Sequence, residues 1–280
     1  MSDTFCFGTL AVGDRYRAHA QLLAQDIQRY APQTSFVVLT DQTAEFAAHN
    51  HVVAVPHTLQ SVKGFHDKRF VIEKALEHVD VCMYLDSDVR ILGPVPTQTQ
   101  WLPGITARTG CNILKHNEAK QKRKALPKIQ HVAQTLAIDL TQTFWFHEFM
   151  FTVKKQAGVE REFLKVWQTM SYFFEMNELH DGEGNVMGLA AQKAGLTLQL
   201  DAADRFPFFK DNIEKVRVKN GQSSLDDKKS YFETHLKIEY PHRPIWHKSI
   251  KKLTRKMGVL YRSLRLKSLA KQDPELQKLL

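Results

Sequence analysis

Apolar runs of strand length alternate with stretches of helical spacing through the N-terminal third of the chain. Phe5 to Val12 predicts a first strand ending in a polar loop, Gly13-Asp14-Arg15. From Ala18 to Tyr30 the apolar residues Ala20, Leu22, Leu23 and Ile27 recur at helical spacing, and Pro32 then breaks the segment. Ser35 to Thr40 (SFVVLT) is a continuous apolar run, the pattern of a strand buried on both faces. Thr43 to His49 predicts a short helix and Val52 to Val55 a third strand. Asp67 to His78 predicts another helix, and Val81 to Leu85 (VCMYL) a fourth buried strand. Strand and helix in alternation predict an α/β domain with a mainly parallel sheet.

The second half is less regular. Lys115 to Lys128 holds six Lys/Arg against Glu118 and is expected to be an exposed, mobile loop. Phe144 to Val153 is a dense aromatic run, and Val159 to Phe174 predicts a helix. His180 to Asn185 (HDGEGN) predicts a glycine-rich acidic loop, with a helix opening at Val186. Arg205 to Phe209 is expected as loop or edge strand, and a polar linker follows Gly221. No internal repeat is present.

Composition narrows the class. In 280 residues, hydrophobic side chains are 43% and charged ones 25%, which excludes intrinsic disorder for the chain as a whole. The three cysteines, Cys6, Cys82 and Cys111, carry no CxxC spacing and argue against a zinc ribbon. The opening Met1-Ser2-Asp3-Thr4 lacks the basic start of a signal peptide. No apolar run approaches the roughly 18 residues of a membrane span. The expected location is cytoplasmic. The formal charge of +9 is concentrated: ten Lys/Arg and no Asp or Glu fall between Arg243 and Lys271. The remainder is near neutral, so the overall charge is no argument for nucleic-acid binding.

The stretch that carries chemistry is Met83-Tyr84-Leu85-Asp86-Ser87-Asp88. A buried strand ends and two carboxylates follow at i and i+2, which point the same way on an extended chain. Ligands of open α/β sheets bind beyond the carboxyl ends of strands. Two hard oxygen ligands there suit Mn²⁺ or Mg²⁺ shared with phosphate oxygens. The competing expectation is a solvated turn with an aspartate cap.

From about Thr4 to about Pro207 the chain resembles metal-dependent glycosyltransferases of the GT-A fold, most closely glycosyltransferase family 6, the group of the blood-group A/B transferases and α-1,3-galactosyltransferases. The similar pieces are Thr9-Leu10-Ala11-Val12 with Tyr16, Phe36 to Gln42, Lys68-Arg69, and Val79 to Asp88. The resemblance implies a Rossmann-like nucleotide-sugar-binding sheet flanked by helices in a single domain. It implies that Ala11, Val12 and Tyr16 surround base and ribose, with Ser87 near the ribose. Arg69 would reach the nucleotide or diphosphate, and Asp86 and Asp88 would hold the metal.

The same resemblance implies that His180-Asp181-Gly182-Glu183 faces the transferred sugar. Glu183 is then the carboxylate beside the anomeric carbon, with Asp181 on sugar hydroxyls. The inserted Gly182 departs from the family pattern and leaves open which carboxylate plays which role. A helix N-cap loop would also explain these residues. His147 and Glu148, polar within the aromatic run, are expected in the donor-sugar pocket. Near the C-terminus, Trp246-His247-Lys248 resembles the family 8 glycogenin-like transferases. There the resemblance implies His247 as a further metal ligand and Lys248 on phosphate, with His235 a rival ligand.

The organisation expected is a GT-A unit over 1–247, with a nucleotide-binding half at 1–92 and an acceptor half at 93–247. A basic amphipathic segment follows at 248–280. In that segment Ile250, Leu253, Met257, Leu260, Leu264 and Leu269 are expected on one helical face. It could pack on the globule, fold over the donor diphosphate, or carry 248–271 to an anionic membrane on its inner face. The function expected is transfer of a hexose from a nucleotide-sugar, a UDP-sugar by preference, to a saccharide or glycolipid acceptor, with retention. The alternatives are a non-catalytic nucleotide- or sugar-binding protein with a GT-A shell, and a nucleotidyltransferase. For the latter, Gly13-Asp14-Arg15 is a poor phosphate loop.

Overall fold

The computed structural model describes residues 3–96, 100–118, 123–201, 206–241 and 245–280, the side chains of 245–251 excepted. The N-terminal third builds β1 (Phe5–Ala11), α1 (Asp14–Tyr30), β2 (Ser35–Thr40), β3 (Val52–Pro56), α2 (Lys68–Leu76) and β4 (Val81–Leu85). These follow the apolar pattern closely, but α1 starts earlier than expected and absorbs Asp14 and Arg15. Two short 3-10 turns, Thr43–Phe46 and Phe65–Asp67, complete the connections.

Beyond β4 come β5 (Arg90–Ile91), β6 (Gly104–Ala107), β7 (Gly110–Asn112), α3 (Ile113–Glu118) and α4 (Leu126–Leu136). The aromatic run divides into β8 (Phe144–Phe146) and β9 (Met150–Lys154), followed by α5 (Val159–Met176) and α6 (Glu183–Ala194). The chain closes with β10 (Leu198–Leu200), β11 (Phe208–Phe209), α7 (Asp211–Lys219), α8 (Leu225–Glu239), α9 (Ile245–Ala270) and α10 (Pro274–Leu279).

Two expectations need correction. The basic stretch from Lys115 to Lys128 is not simply a loop, because α3 and α4 occupy both of its ends. Ile129, Val132 and Ala133 form a buried helical stripe that secures α4, while Pro127, Gln130 and His131 take the outer face. The expected linker after Gly221 is largely α8, capped by Ser224, whose hydroxyl accepts from the Asp227 N–H.

Seven strands pair in the order β10-β6-β9-β4-β1-β2-β3, all parallel except β9, which runs against both β4 and β6. Successive residues of the inner strands enter opposite layers, as strand geometry requires. Cys6, Val37 and Cys82 join the layer packed by α2, α5 and α6, whereas Phe7, Val38 and Met83 join the layer packed by α1. The architecture is therefore α/β, a mainly parallel sheet flanked by helices. No helix among the described residues is long and apolar enough to cross a membrane.

One contact fixes α6 tightly. A Cβ on Gly184 would stand 2.2 Å from the Phe146 carbonyl oxygen, and one on Gly188 would stand 1.8 Å from that of Phe144. Only glycines let the α6 backbone lie against β8 this closely. The contact sets the start of α6, and with it Glu183, beside the end of β4.

Candidate functional site

Strands β1 and β4 are parallel neighbours, so their carboxyl ends open on the same edge of the sheet. A cleft of about 660 Å³ lies there. The Thr9 hydroxyl donates to the Leu85 carbonyl at 2.7 Å, and the Asp86 N–H donates to the Phe149 carbonyl at 2.8 Å. These bonds fix where β4 stops and the two aspartates begin.

Asp86 and Asp88 meet a cation. The Lys210 ammonium donates to Asp86 Oδ2 at 3.0 Å and also bonds Asp88 Oδ1. Lys68 Nζ lies 3.1 Å from Asp86 Oδ1 and 2.9 Å from Glu183 Oε1, and donates to the Glu148 carbonyl at 3.2 Å. The result is a chain of alternating charges, Asp88–Lys210–Asp86–Lys68–Glu183, within one cleft.

The protonation states follow from that chain. Burial works to raise the Asp86 carboxyl, but Lys210 and Lys68 outweigh it and hold it far below the usual carboxylate range. Burial opposes charge on Glu183 too, and Lys68, 2.9 Å away, outweighs it, keeping the group ionised. On Glu148 the Lys68 charge is too weak to offset burial. Burial, reinforced by the Glu183 charge, pushes this carboxyl up to about 7. Its Oε2 is buried without a hydrogen-bond partner among the described residues. His66 is pushed down to about 4 by burial and accepts from the Trp167 indole N–H at Nδ1, so it is neutral. Two carboxyls of one cleft are thus driven apart, one ionised and one half-protonated near neutrality.

The expected residues separate into those gathered at the cleft and those held away from it. Val12, Tyr16, Asp86, Ser87, Asp88, His147, Glu148, Asp181 and Glu183 all line it. Ala11 does not: it is fully buried in the layer under α1, because alternation along β1 turns it from the opening. Arg69 also departs from expectation. It faces away from the cleft, with its guanidinium 4.1 Å from the Phe70 ring and one N–H donating to the His66 carbonyl. Its neighbour Lys68 enters the site instead, since adjacent helical residues cannot share a face.

Gly182, at φ +91°, turns the acidic loop into α6 and separates its two carboxylates. Glu183 is 7% exposed beside Lys68, whereas Asp181 is 80% exposed on the rim, 3.6 Å from Lys63. Glu183 is also the first residue of α6, so the expected loop ends sooner than its composition indicated. His235 stands on α8 at the cleft wall, 3.8 Å from Asp211, its ring tilted by 37° to that of His19 with the centroids 5.0 Å apart. The side chains of His247 and Lys248 lie outside the described residues.

Lys210 carried no signal in the sequence. It reaches the aspartates because β11 pairs antiparallel with β5, the strand just after Asp88. Another long-range link braces the cleft wall. Glu239 at the end of α8 pairs with Arg15 at 2.9 Å and His19 at 3.1 Å.

The chain matches no protein-family model, and no curated protein matches it. Solved structures similar to it include a galactosyltransferase, LgtC, in complex with donor and acceptor sugar analogues. That likeness has 14% identity and a TM-score of 0.46 over 69% of this chain and 72% of that one. Another is the apo structure of WbbM, a bifunctional glycosyltransferase, at 12% identity and a TM-score of 0.42. It matches 72% of this chain, which spans 39% of WbbM.

Proposed function

We propose that the protein is a glycosyltransferase of the GT-A kind that moves a hexose from a nucleotide-sugar, by preference a UDP-sugar, to a saccharide or lipid-linked acceptor. The observation that carries this reading is the convergence of Asp86, Asp88 and Glu183 in one cleft at the carboxyl edge of a parallel sheet. Nucleotides bind at such edges, and sugar transfer needs a buried carboxylate next to a site for phosphate charge. Residues 1–247 form the catalytic unit in this reading, and 248–280 a basic appendage.

The base and ribose lie against Val12, Tyr16 and Ser87 at the opening of the cleft. Lys210 and Lys68 present ammonium groups where a diphosphate would sit. The donor set fits a divalent ion such as Mn²⁺ or Mg²⁺, because Asp86 and Asp88 already converge on a stand-in cation, the Lys210 ammonium. They would hold the ion together with His247, and Lys210 would move aside onto phosphate. An ion held there would supply positive charge against the leaving diphosphate.

Transfer breaks the bond between the anomeric carbon and the diphosphate oxygen and forms one to an acceptor hydroxyl oxygen. Glu183, kept ionised by Lys68, bonds to the anomeric carbon as the diphosphate leaves, and the acceptor oxygen then displaces it from the opposite side, so the two inversions give retention of configuration. Glu148, poised near neutrality and so partly ionised, takes the proton that the acceptor hydroxyl gives up as its oxygen bonds to the anomeric carbon. His147 packs beside it in the same wall. Asp181 is on the rim, where it reaches hydroxyls of the bound saccharide.

One observation favours a second reading, a binding protein that does not transfer. Lys68 and Lys210 already neutralise the carboxylates that the chemistry requires. Incubation with UDP-, GDP- and CMP-sugars, with and without Mn²⁺, separates the two, because water serves as acceptor for idle transferases. The expected result is Mn²⁺-dependent release of free sugar from a UDP-hexose, lost in Glu183→Gln. Tight UDP binding without release from any donor would instead establish the binding protein.

A further inference from the structure

The C-terminal helix α9 leaves an apolar face in water. Leu253, Met257, Leu260 and Leu264 are 58–62% exposed, and Tyr261 beside them is 66% exposed. At 3.6 residues per turn the first four fall within about 60° of one another, a narrow continuous stripe. Leu269, expected on the same face, is half-buried on the body side, because the five-residue step from Leu264 carries it around the helix.

The opposite side of α9 is fixed. Leu266 and Ala270 are buried, and Ala270 joins Leu276 and Leu279 of α10 in the core packed by α5. The Gln277 amide donates to the Ala270 carbonyl at 2.6 Å, and His131 bonds the Leu279 carbonyl at 2.9 Å. Arg262 Nε donates to the Val62 carbonyl at 2.9 Å, next to Lys63 on the cleft rim. The helix is therefore held by one side, alongside the opening, while its apolar stripe points away.

Charge identifies the occupant of that stripe. Lys256 and Lys267 flank it on one edge with Lys252 further round, and Arg265 lies past Tyr261 on the other, all exposed. No Asp or Glu occurs from Arg243 to Lys271. A protein partner of ordinary composition has no need of an all-basic border. An anionic lipid surface does, since it takes apolar side chains below the headgroups and ammonium groups among the phosphates.

We propose that α9 docks the protein on an anionic membrane, with Leu253, Met257, Leu260 and Leu264 inserted and Lys252, Lys256, Arg265 and Lys267 on the headgroups. The arrangement goes beyond the transferase reading and stands without it. It sets the cleft rim at Val62–Lys63 close to the bilayer, where an acceptor carried on a lipid could reach it.

The test is co-sedimentation of the full chain with vesicles of phosphatidylcholine mixed with phosphatidylglycerol, against vesicles of phosphatidylcholine alone. Binding is expected only to the anionic vesicles, and it should weaken as salt is raised. Lys256→Gln and Lys267→Gln should each lower the partition coefficient about fivefold. Leu253→Ser combined with Leu260→Ser should abolish binding at moderate salt while leaving the circular dichroism and melting of the protein unchanged. Failure of the full chain to bind anionic vesicles at low salt would overturn the proposal. So would binding indifferent to the leucine substitutions. Sedimentation equilibrium without lipid closes the remaining route: a dimer that dissociates in the leucine variant would assign the stripe to a second copy of the chain.

Discussion

The end of β4 and the exposed side of α9 break the usual distribution of side chains in opposite directions. At β4 the charges of Lys68 and Glu183 are withdrawn from water and answered by partners within 3.1 Å. On α9 four large apolar residues remain in water with nothing over them. Buried charge is costly unless paired, and exposed apolar area forgoes stabilisation that burial would give. Neither arrangement helps the chain fold. Each is intelligible as a binding surface, the first for a small anionic ligand and the second for a lipid sheet. The difference lies in coupling. The cleft charges depend on one another, whereas the α9 stripe depends on nothing else in the protein.

That contrast can be broken most forcefully at Lys68. Lys68→Met removes one ammonium and leaves Asp86 and Glu183 facing each other. A loss of about 3–5 kcal/mol is expected in urea denaturation, and Lys68→Met combined with Glu183→Gln should recover part of it. Additive losses would show that the charges are not coupled.

The second effect is pH-dependent and lies at Glu175, a buried carboxyl behind the cleft that accepts from the Val62 N–H at 2.9 Å. Burial pushes it up to about 7, above its ordinary 4.5. A raised carboxyl contributes stability below about pH 4.5 that is lost as pH rises through 7. The span corresponds to something on the order of 3 kcal/mol at most. Glu175→Gln keeps the acceptor and removes the charge, so it should flatten this slope and stabilise the protein at pH 8. Denaturation midpoints across pH 4 to 8 check it, and an unchanged slope would contradict the assignment.

Gly184→Ala comes third. Its new methyl would press on the Phe146 carbonyl, displacing α6 at a cost of about 1–3 kcal/mol. Because α6 starts at Glu183, thermal stability and donor turnover should fall together. The smallest effect belongs to α9, where Leu260→Ser should change stability by less than about 0.5 kcal/mol. A larger loss there would mean that the stripe is packed in solution.

How much of this was legible in the chain depends on range. The strands SFVVLT and VCMYL declare themselves, because burial on both faces leaves an uninterrupted apolar run. Asp86 and Asp88 follow from the same logic, as carboxylates where such a run stops. Tyr16, Ser87 and Glu183 came from resemblance and all line the cleft. Arg69 and Ala11 did not follow, because one helical step or one strand alternation decides which of two neighbours faces inward. Lys210 was out of reach altogether. It meets Asp86 across 124 residues through the pairing of two short strands, β5 and β11, neither marked by any local pattern. The helix α8, hidden in a polar stretch, was lost for a different reason: it buries no residue fully and so shows no apolar stripe.

The central claim is that Asp86 and Asp88 form the seat of a nucleotide diphosphate and its metal. Calorimetric titration of UDP into the protein with Mn²⁺ tests it most directly, repeated on Asp86→Asn and Asp88→Asn. The account predicts Mn²⁺-dependent binding in the parent chain and severe weakening in both variants, with melting temperatures showing that each still folds. UDP affinity unchanged in both variants would contradict it.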